Sequence, residues 1–249
     1  MLHTDSLSVS FGGIQALDQV HLSIEPGGVT GLIGPNGAGK TTFIDAVTGM
    51  VPTTGKVELD GQDISGLAAN ERANRGLVRT FQTLELFEDL TVEDNLAAAA
   101  VHTNWWQFIV DALVPRRREP PIPAVESALE LLGITDDRLR LPSDLSHGRR
   151  RLVGVARALA AGPKVLLLDE PAAGLDSAES LALGARLRAI AETGVTVFLI
   201  DHDMGLVLDV CDRIHVLDFG SIIASGSPEE IRTNPAVVAA YLGRAAETS

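Results

Sequence analysis

Apolar and polar positions alternate near the start of the chain, in Leu7-Ser8-Val9-Ser10, His21-Leu22-Ser23-Ile24 and Lys56-Val57-Glu58-Leu59. Such stretches predict strands, the last running into the turn Asp60-Gly61. Val29-Thr30-Gly31-Leu32-Ile33 is more continuously apolar and reads as a short buried strand. From about residue 86 to 161 alanine and leucine dominate, and the pattern predicts helices. Inside that stretch residues 115–123, with four prolines and three consecutive arginines, read as a breaker-rich, solvated connection. After residue 163 the rhythm becomes strand, helix, strand. Val165-Leu166-Leu167-Leu168 predicts a buried parallel strand, residues 177–192 an amphipathic helix, and residues 195–200 a second buried strand. Val216-Leu217-Asp218 and Ile222-Ile223-Ala224 flank Phe219-Gly220 and predict a hairpin. A helical block is thus inserted into an α/β core. No internal repeat is visible, so a single such unit is expected.

Composition narrows the classes. Hydrophobic residues at 45% and charged residues at 21% fit an ordinary globular chain of 249 residues. The formal net charge of −13 argues against broad nucleic-acid binding, which needs a positive stripe. The single Cys211 excludes an internal disulfide and reads as a small core residue at a helix end. No apolar run approaches the roughly 20 residues of a membrane span. The N-terminus lacks a basic segment followed by an apolar one, so no signal peptide is expected. These features predict a soluble, cytoplasmic protein whose membrane role, if any, runs through a spanning partner.

Candidate chemistry begins at Gly34-Pro35-Asn36-Gly37-Ala38-Gly39-Lys40-Thr41-Thr42. Glycines at the first and sixth positions let backbone N–H groups converge on one cavity. Lys40 then reaches outer phosphates, and the Thr41 hydroxyl can hold Mg²⁺. The next helix presents its positive end to the anion. This loop predicts binding of a nucleoside triphosphate. The strand at 165–168 runs into Asp169-Glu170, which places a carboxylate at the carboxyl edge of the sheet to hold Mg²⁺. Glu170 points differently and can polarise a water towards the γ-phosphorus. His202 comes just after the strand at 195–200 and reaches the same edge. On its own, it and Asp201 read as caps of a helix starting near Met204. Ser146 reads as the N-cap of a helix whose Leu152, Val155, Ala156 and Leu159 share one face. Arg149, Arg150 and Arg151 crowd its first turn, where the macrodipole disfavours cations unless an anion or acidic neighbours compensate.

Taken together, these residues resemble the ATP-binding-cassette (ABC) ATPases over essentially the whole chain. The resemblance implies an α/β P-loop NTPase core with an antiparallel β subdomain and an inserted α-helical subdomain. One ABC domain would span 1–249, with the RecA-like core at about 1–85 and 162–249 and the helical subdomain at about 86–161. By similarity Gln82, in Arg79-Thr80-Phe81-Gln82, matches the glutamine that joins core to helical block and helps hold Mg²⁺ with Thr41 and Asp169. Leu145-Ser146-His147-Gly148-Arg149 matches the family signature, Leu175-Asp176 the loop after the catalytic strand, and His202 the switch histidine. Phe11 falls where the family places an aromatic against adenine. Glu170, His202 and Gln82 would then act in catalysis, and Phe11, residues 34–42, Ser146, Gly148 and Asp176 would meet ATP. In this family the signature of one subunit covers the γ-phosphate bound in another. The usual second glycine and the glutamine of the signature are replaced here by His147 and Arg149.

Three stretches resemble the ATPases of branched-chain amino acid importers: residues 78–82, residues 169–175, and the ending from Asn234-Pro235 to Leu242-Gly243. Relatives serving urea or short amides share the ending, so both solute classes stay open. The resemblance implies transmembrane permease subunits, a second ATP-binding subunit (identical or not), an extracytoplasmic solute-binding protein and a place on the cytoplasmic membrane face. Leu86 and Phe87 read either as exposed docking anchors for the permease or as helical-core filling. A soluble mechanical ATPase is disfavoured by the single cassette and the acidic balance. A regulator without turnover is disfavoured by the presence of Lys40, Gln82, Asp169, Glu170 and His202.

Overall fold

In the computed structural model the described residues are 1–80, 86–100 and 123–245. Gln82, residues 83–85 and the connection at 115–122 lie outside them. The chain divides into two compact units, one of residues 1–82 and 164–249, the other of residues 83–163.

The first unit holds two sheets. Strands β1 (Leu2–Phe11), β2 (Ile14–Ile24), β4 (Thr54–Leu59) and β5 (Gln62–Asp63) form an antiparallel sheet in the order β2-β1-β4-β5. Strands β3 (Val29–Ile33), β6 (Leu77–Arg79), β7 (Val165–Asp169), β8 (Thr196–Ile200), β9 (Arg213–Asp218) and β10 (Ser221–Gly226) form the other, ordered β10-β9-β3-β8-β7-β6. All neighbours in this sheet are parallel except the hairpin β9–β10. Strands β3, β7 and β8 are buried at every residue, which is why they are apolar runs rather than alternating ones.

The sheets share a core. Phe43, from helix α1 (Lys40–Thr48), packs on Phe198 of β8 with ring centroids 5.7 Å apart, among Leu17, Ile24, Val57 and Leu167. The short helix α2 (Ala69–Asn74) carries Arg72, whose guanidinium is buried and donates to the carbonyls of Ala46, Val47, Ser65 and Leu67. The first two acceptors lie at the end of α1, where a cation is favoured.

The second unit is helical: α3 (Val92–Ala100), α4 (Pro123–Leu131) and α5 (His147–Ala160), with 3₁₀ turns at Thr135–Asp137 and Pro142–Asp144. Leu152, Val155, Ala156 and Leu159 of α5 are buried, as the 3–4 spacing requires. Leu86 is buried, which corrects its reading as an exposed anchor, whereas Phe87 is half-exposed under the Arg157 guanidinium at 5.9 Å. The buried Asn95 holds Phe87 in place by accepting from its N–H (2.9 Å) and donating to its carbonyl (3.0 Å). Helices α6 (Ser177–Glu192), α7 (Met204–Val210), α8 (Pro228–Thr233) and α9 (Pro235–Ala245) return to the first unit.

Candidate functional site

Register explains how the site assembles. Leu32 of β3 pairs with Ile200 of β8, and Ile200 pairs with Asp169 of β7. Three adjacent strands therefore end in one row. Their C-terminal ends deliver three groups to one edge: the loop from Gly34, His202, and Asp169-Glu170. The crevice beyond the carboxyl ends of parallel strands is where open α/β sheets bind ligands.

An open cleft of about 470 Å³ lies there, lined by Asn36, Gly37, Gly39, Lys40, Thr41, Thr42 and Glu170. Its outer wall is Ile14, Gln15 and Ala16 from the start of β2 and Phe219 and Gly220 from the β9–β10 turn. Glycine is obligatory at two points of the loop. A Cβ on Gly34 would meet the Leu217 carbonyl oxygen at 2.0 Å, and one on Gly39, at φ +107°, would meet that of Ala16 at 2.7 Å. Lys40 is only 8% exposed, and its Nζ donates to the carbonyls of Gly34 (2.7 Å) and Pro35 (3.1 Å). The ammonium is thus stored on the loop it serves.

Asp169 is 2% exposed, and its Oδ2 accepts no hydrogen bond. It faces Arg79 Nη2 at 3.7 Å, while Arg79 Nη1 pairs with Asp45. Burial, more than the opposing pull of Arg79, pushes the Asp169 carboxyl above its ordinary range. A raised folded-state value means that stability is greatest below the ordinary carboxylate range and is lost as pH rises through the folded value. Once the carboxyl ionises, its charge therefore works against the fold. Asp169→Asn is expected to raise the melting temperature of the nucleotide-free protein by about 2–4 °C, Arg79 keeping Asp45. Differential scanning fluorimetry at neutral pH checks this; an unchanged or lower midpoint contradicts it.

Glu170 has φ +50°, rare for a side chain of its size. Two ties hold it there: its N–H donates to the Ile200 carbonyl (2.8 Å), and buried Asp201 accepts from Ala172 N–H (3.0 Å) in the loop beyond. Strain of this kind gathers where function demands a direction. His202 is largely exposed, with Nδ1 3.9 Å from Glu170 Oε2 and 3.7 Å from Asp201 Oδ1. Neither His202 nor Asp201 caps α7. The cap is Asp203, whose Oδ1 accepts from Gly205 N–H (2.9 Å) and Leu206 N–H (3.2 Å). Only the residue directly before the first turn can reach those donors. Ser180 Oγ donates to Asp203 (2.8 Å), chiefly lowering its carboxyl. His202 is thus no part of the cap; it stands beside Glu170 without itself lining the cleft.

Other expected residues lie elsewhere. Phe11 is half-exposed and pairs with Ile14 across the hairpin, and it is Ile14, not Phe11, that lines the cleft. Asp176 caps α6 through Ala178 and Glu179 N–H (both 2.8 Å) and does not line the cleft. Ser146 caps α5, accepting from Arg149 N–H at 3.3 Å, and Gly148 lies within the first turn. Cys211, at the end of α7, is buried, with its thiol pushed up to about 12. The Ile14 and Phe219 walls have no signature in the sequence, because a strand start and a turn so far apart in the chain leave no local signal of convergence.

A glycine cradle, a buried lysine and a strand-end Asp-Glu at one sheet edge define a P-loop nucleoside triphosphatase. The ABC transporter family model matches residues 17–173, and a Branched-chain amino acid ATP-binding cassette transporter model matches residues 221–247. The chain belongs to the ABC transporter family, among its ATP-binding cassettes. It is 42% identical to the high-affinity branched-chain amino acid transport ATP-binding protein BraF of Pseudomonas aeruginosa, covering 98% of each. It is 40% identical to LivG of Escherichia coli K12, a high-affinity branched-chain amino acid transport ATP-binding protein, again over 98% of each. The ADP conformation of MJ1267, an ATP-binding cassette of an ABC transporter, matches with a TM-score of 0.85 at 30% identity over 98% of each chain.

Proposed function

We propose that this chain binds and hydrolyses ATP to drive uptake of branched-chain amino acids through a membrane permease. The observation that carries the ATPase part is the meeting of the 34–42 loop, Asp169-Glu170 and His202 at adjacent strand ends. The solute class is supported by the full-length likeness to BraF and LivG and by the segment 221–247. Cassettes of this family work with transmembrane permeases and form dimers. Among the described residues no helix is long and apolar enough to cross a membrane. In this reading the spanning partner is a separate chain, and this one sits on its cytoplasmic face.

Within the site, Lys40 moves from its loop carbonyls to the outer phosphates. Glu170 accepts a proton from the attacking water, and His202 holds that arrangement from the edge. Asp169 Oδ2, which accepts no hydrogen bond and lies 3.7 Å from Arg79 Nη2, and the Thr41 hydroxyl are hard donors of the kind Mg²⁺ takes when phosphates supply the rest. Bound there, Mg²⁺ would neutralise developing phosphate charge. Gln82 would join them, and Ser146 and Gly148 would meet ATP held by a second subunit. A solute-binding protein delivers the amino acid outside.

Affinity purification from membranes tests the assembly. The chain is expected to bring down two permease subunits. Recovery only with ribosomes or alone would favour a soluble ATPase instead.

A further inference from the structure

We propose that Asp137 is a positioning residue for the signature segment. Its carboxylate holds the Arg149 guanidinium against the turn at 133–137, leaving the N-terminal edge of α5 clear for the phosphate of an ATP held by a second subunit. The inference rests on the cross-subunit reading of Ser146 and Gly148 above.

Arg149 is one of the two signature positions, with His147, at which this chain departs from the family pattern, and its charge lies in a helical turn that repels cations. Its backbone N–H belongs to the Ser146 cap (3.3 Å), so its side chain starts beside the N–H groups an anion must reach. That side chain is drawn away. Arg149 Nη1 donates to Asp137 Oδ2 (2.9 Å) and to the Gly133 carbonyl (3.2 Å).

Asp137 is 5% exposed and serves a second arginine: Arg140 Nη1 donates to its Oδ1 at 2.9 Å. Arg140 also donates through Nη2 to the Asp144 carbonyl, two residues before Ser146. One buried carboxylate therefore ties together the 3₁₀ turn, the approach to the signature and the first turn of α5. Arg150 is likewise turned aside, towards Glu88 and the Pro142 carbonyl. Two guanidinium groups on one carboxylate leave a local positive excess, which suits an approaching phosphate without obstructing it. The family's glutamine at 149 would need no counter-charge, so Asp137 and Arg149 act as a pair.

ATP-dependent dimerisation in a Glu170→Gln background, tracked by light scattering against ATP concentration, tests this. Asp137→Asn is expected to raise the half-dimerisation ATP concentration about tenfold, and adding Arg149→Gln to bring it back within about threefold of the parent. Binding of a fluorescent ATP analogue to the monomer should not change in either variant. Asp137→Asn dimerising like the parent, or a double variant that does not recover, overturns the proposal and leaves Asp137 as a plain support of its turn. Should Asp137→Asn alone not fold, the double variant decides by the same criterion. A Glu170→Gln parent that never dimerises with ATP overturns the cross-subunit reading, and the proposal with it.

Discussion

Glu170→Gln is expected to lower ATP turnover by about 10²–10⁴-fold, the range of a lost general base, while ATP still binds within about twofold. Gln keeps the shape and hydrogen-bonding reach of Glu but cannot take a proton. The backbone that aims residue 170 is held by Ile200 and, one loop onward, by Asp201, so the amide should occupy the carboxylate's place. Lys40 and the glycine cradle, which hold the phosphates, are untouched. ATP should therefore persist on the protein, and the ATP-bound dimer should accumulate. Phosphate release and gel filtration with ATP read the two effects separately. Hydrolysis at the parent rate would remove Glu170 from the role of base.

Lys40→Met is expected to weaken ATP binding by about 10- to 100-fold, since hydrogen bonds to charged groups contribute about 1.5–3 kcal/mol each. Methionine retains much of the buried stem, so the change isolates the ammonium. That ammonium currently satisfies the carbonyls of Gly34 and Pro35, and the cleft opens onto water that can replace it. Stability without nucleotide should thus fall by less than binding does. Titration with a fluorescent ATP analogue, alongside urea melts, distinguishes the two. Unchanged affinity would mean that the phosphates lie elsewhere than in the 34–42 loop.

Much of this was legible in the sequence where a local rule dictates the outcome. The phosphate loop, the strand ending at Asp169 and the helix over residues 177–192 each derive from a short pattern of residue types. Strand β6 was missed because three residues, Leu77–Arg79, are too few to show a period and are defined only by pairing with β7. Arg79, partly buried on that strand between Asp45 and Asp169, is hidden from a sequence reading for the same reason. The reading of Asp201 and His202 as caps falls one to two residues early because Asp201 and Asp203 are equally good caps by type, and only the backbone tells which one begins α7. Arg149 showed the reverse. Its charge in the wrong helical turn called for compensating acidic neighbours, and Asp137 supplies one from twelve residues upstream.

The most direct measurement is leucine accumulation in vesicles that contain the permease and its solute-binding protein, with this chain and ATP on the opposite face. The account predicts uptake that requires ATP and is lost with Glu170→Gln. Uptake that proceeds equally with the Glu170→Gln protein would contradict it.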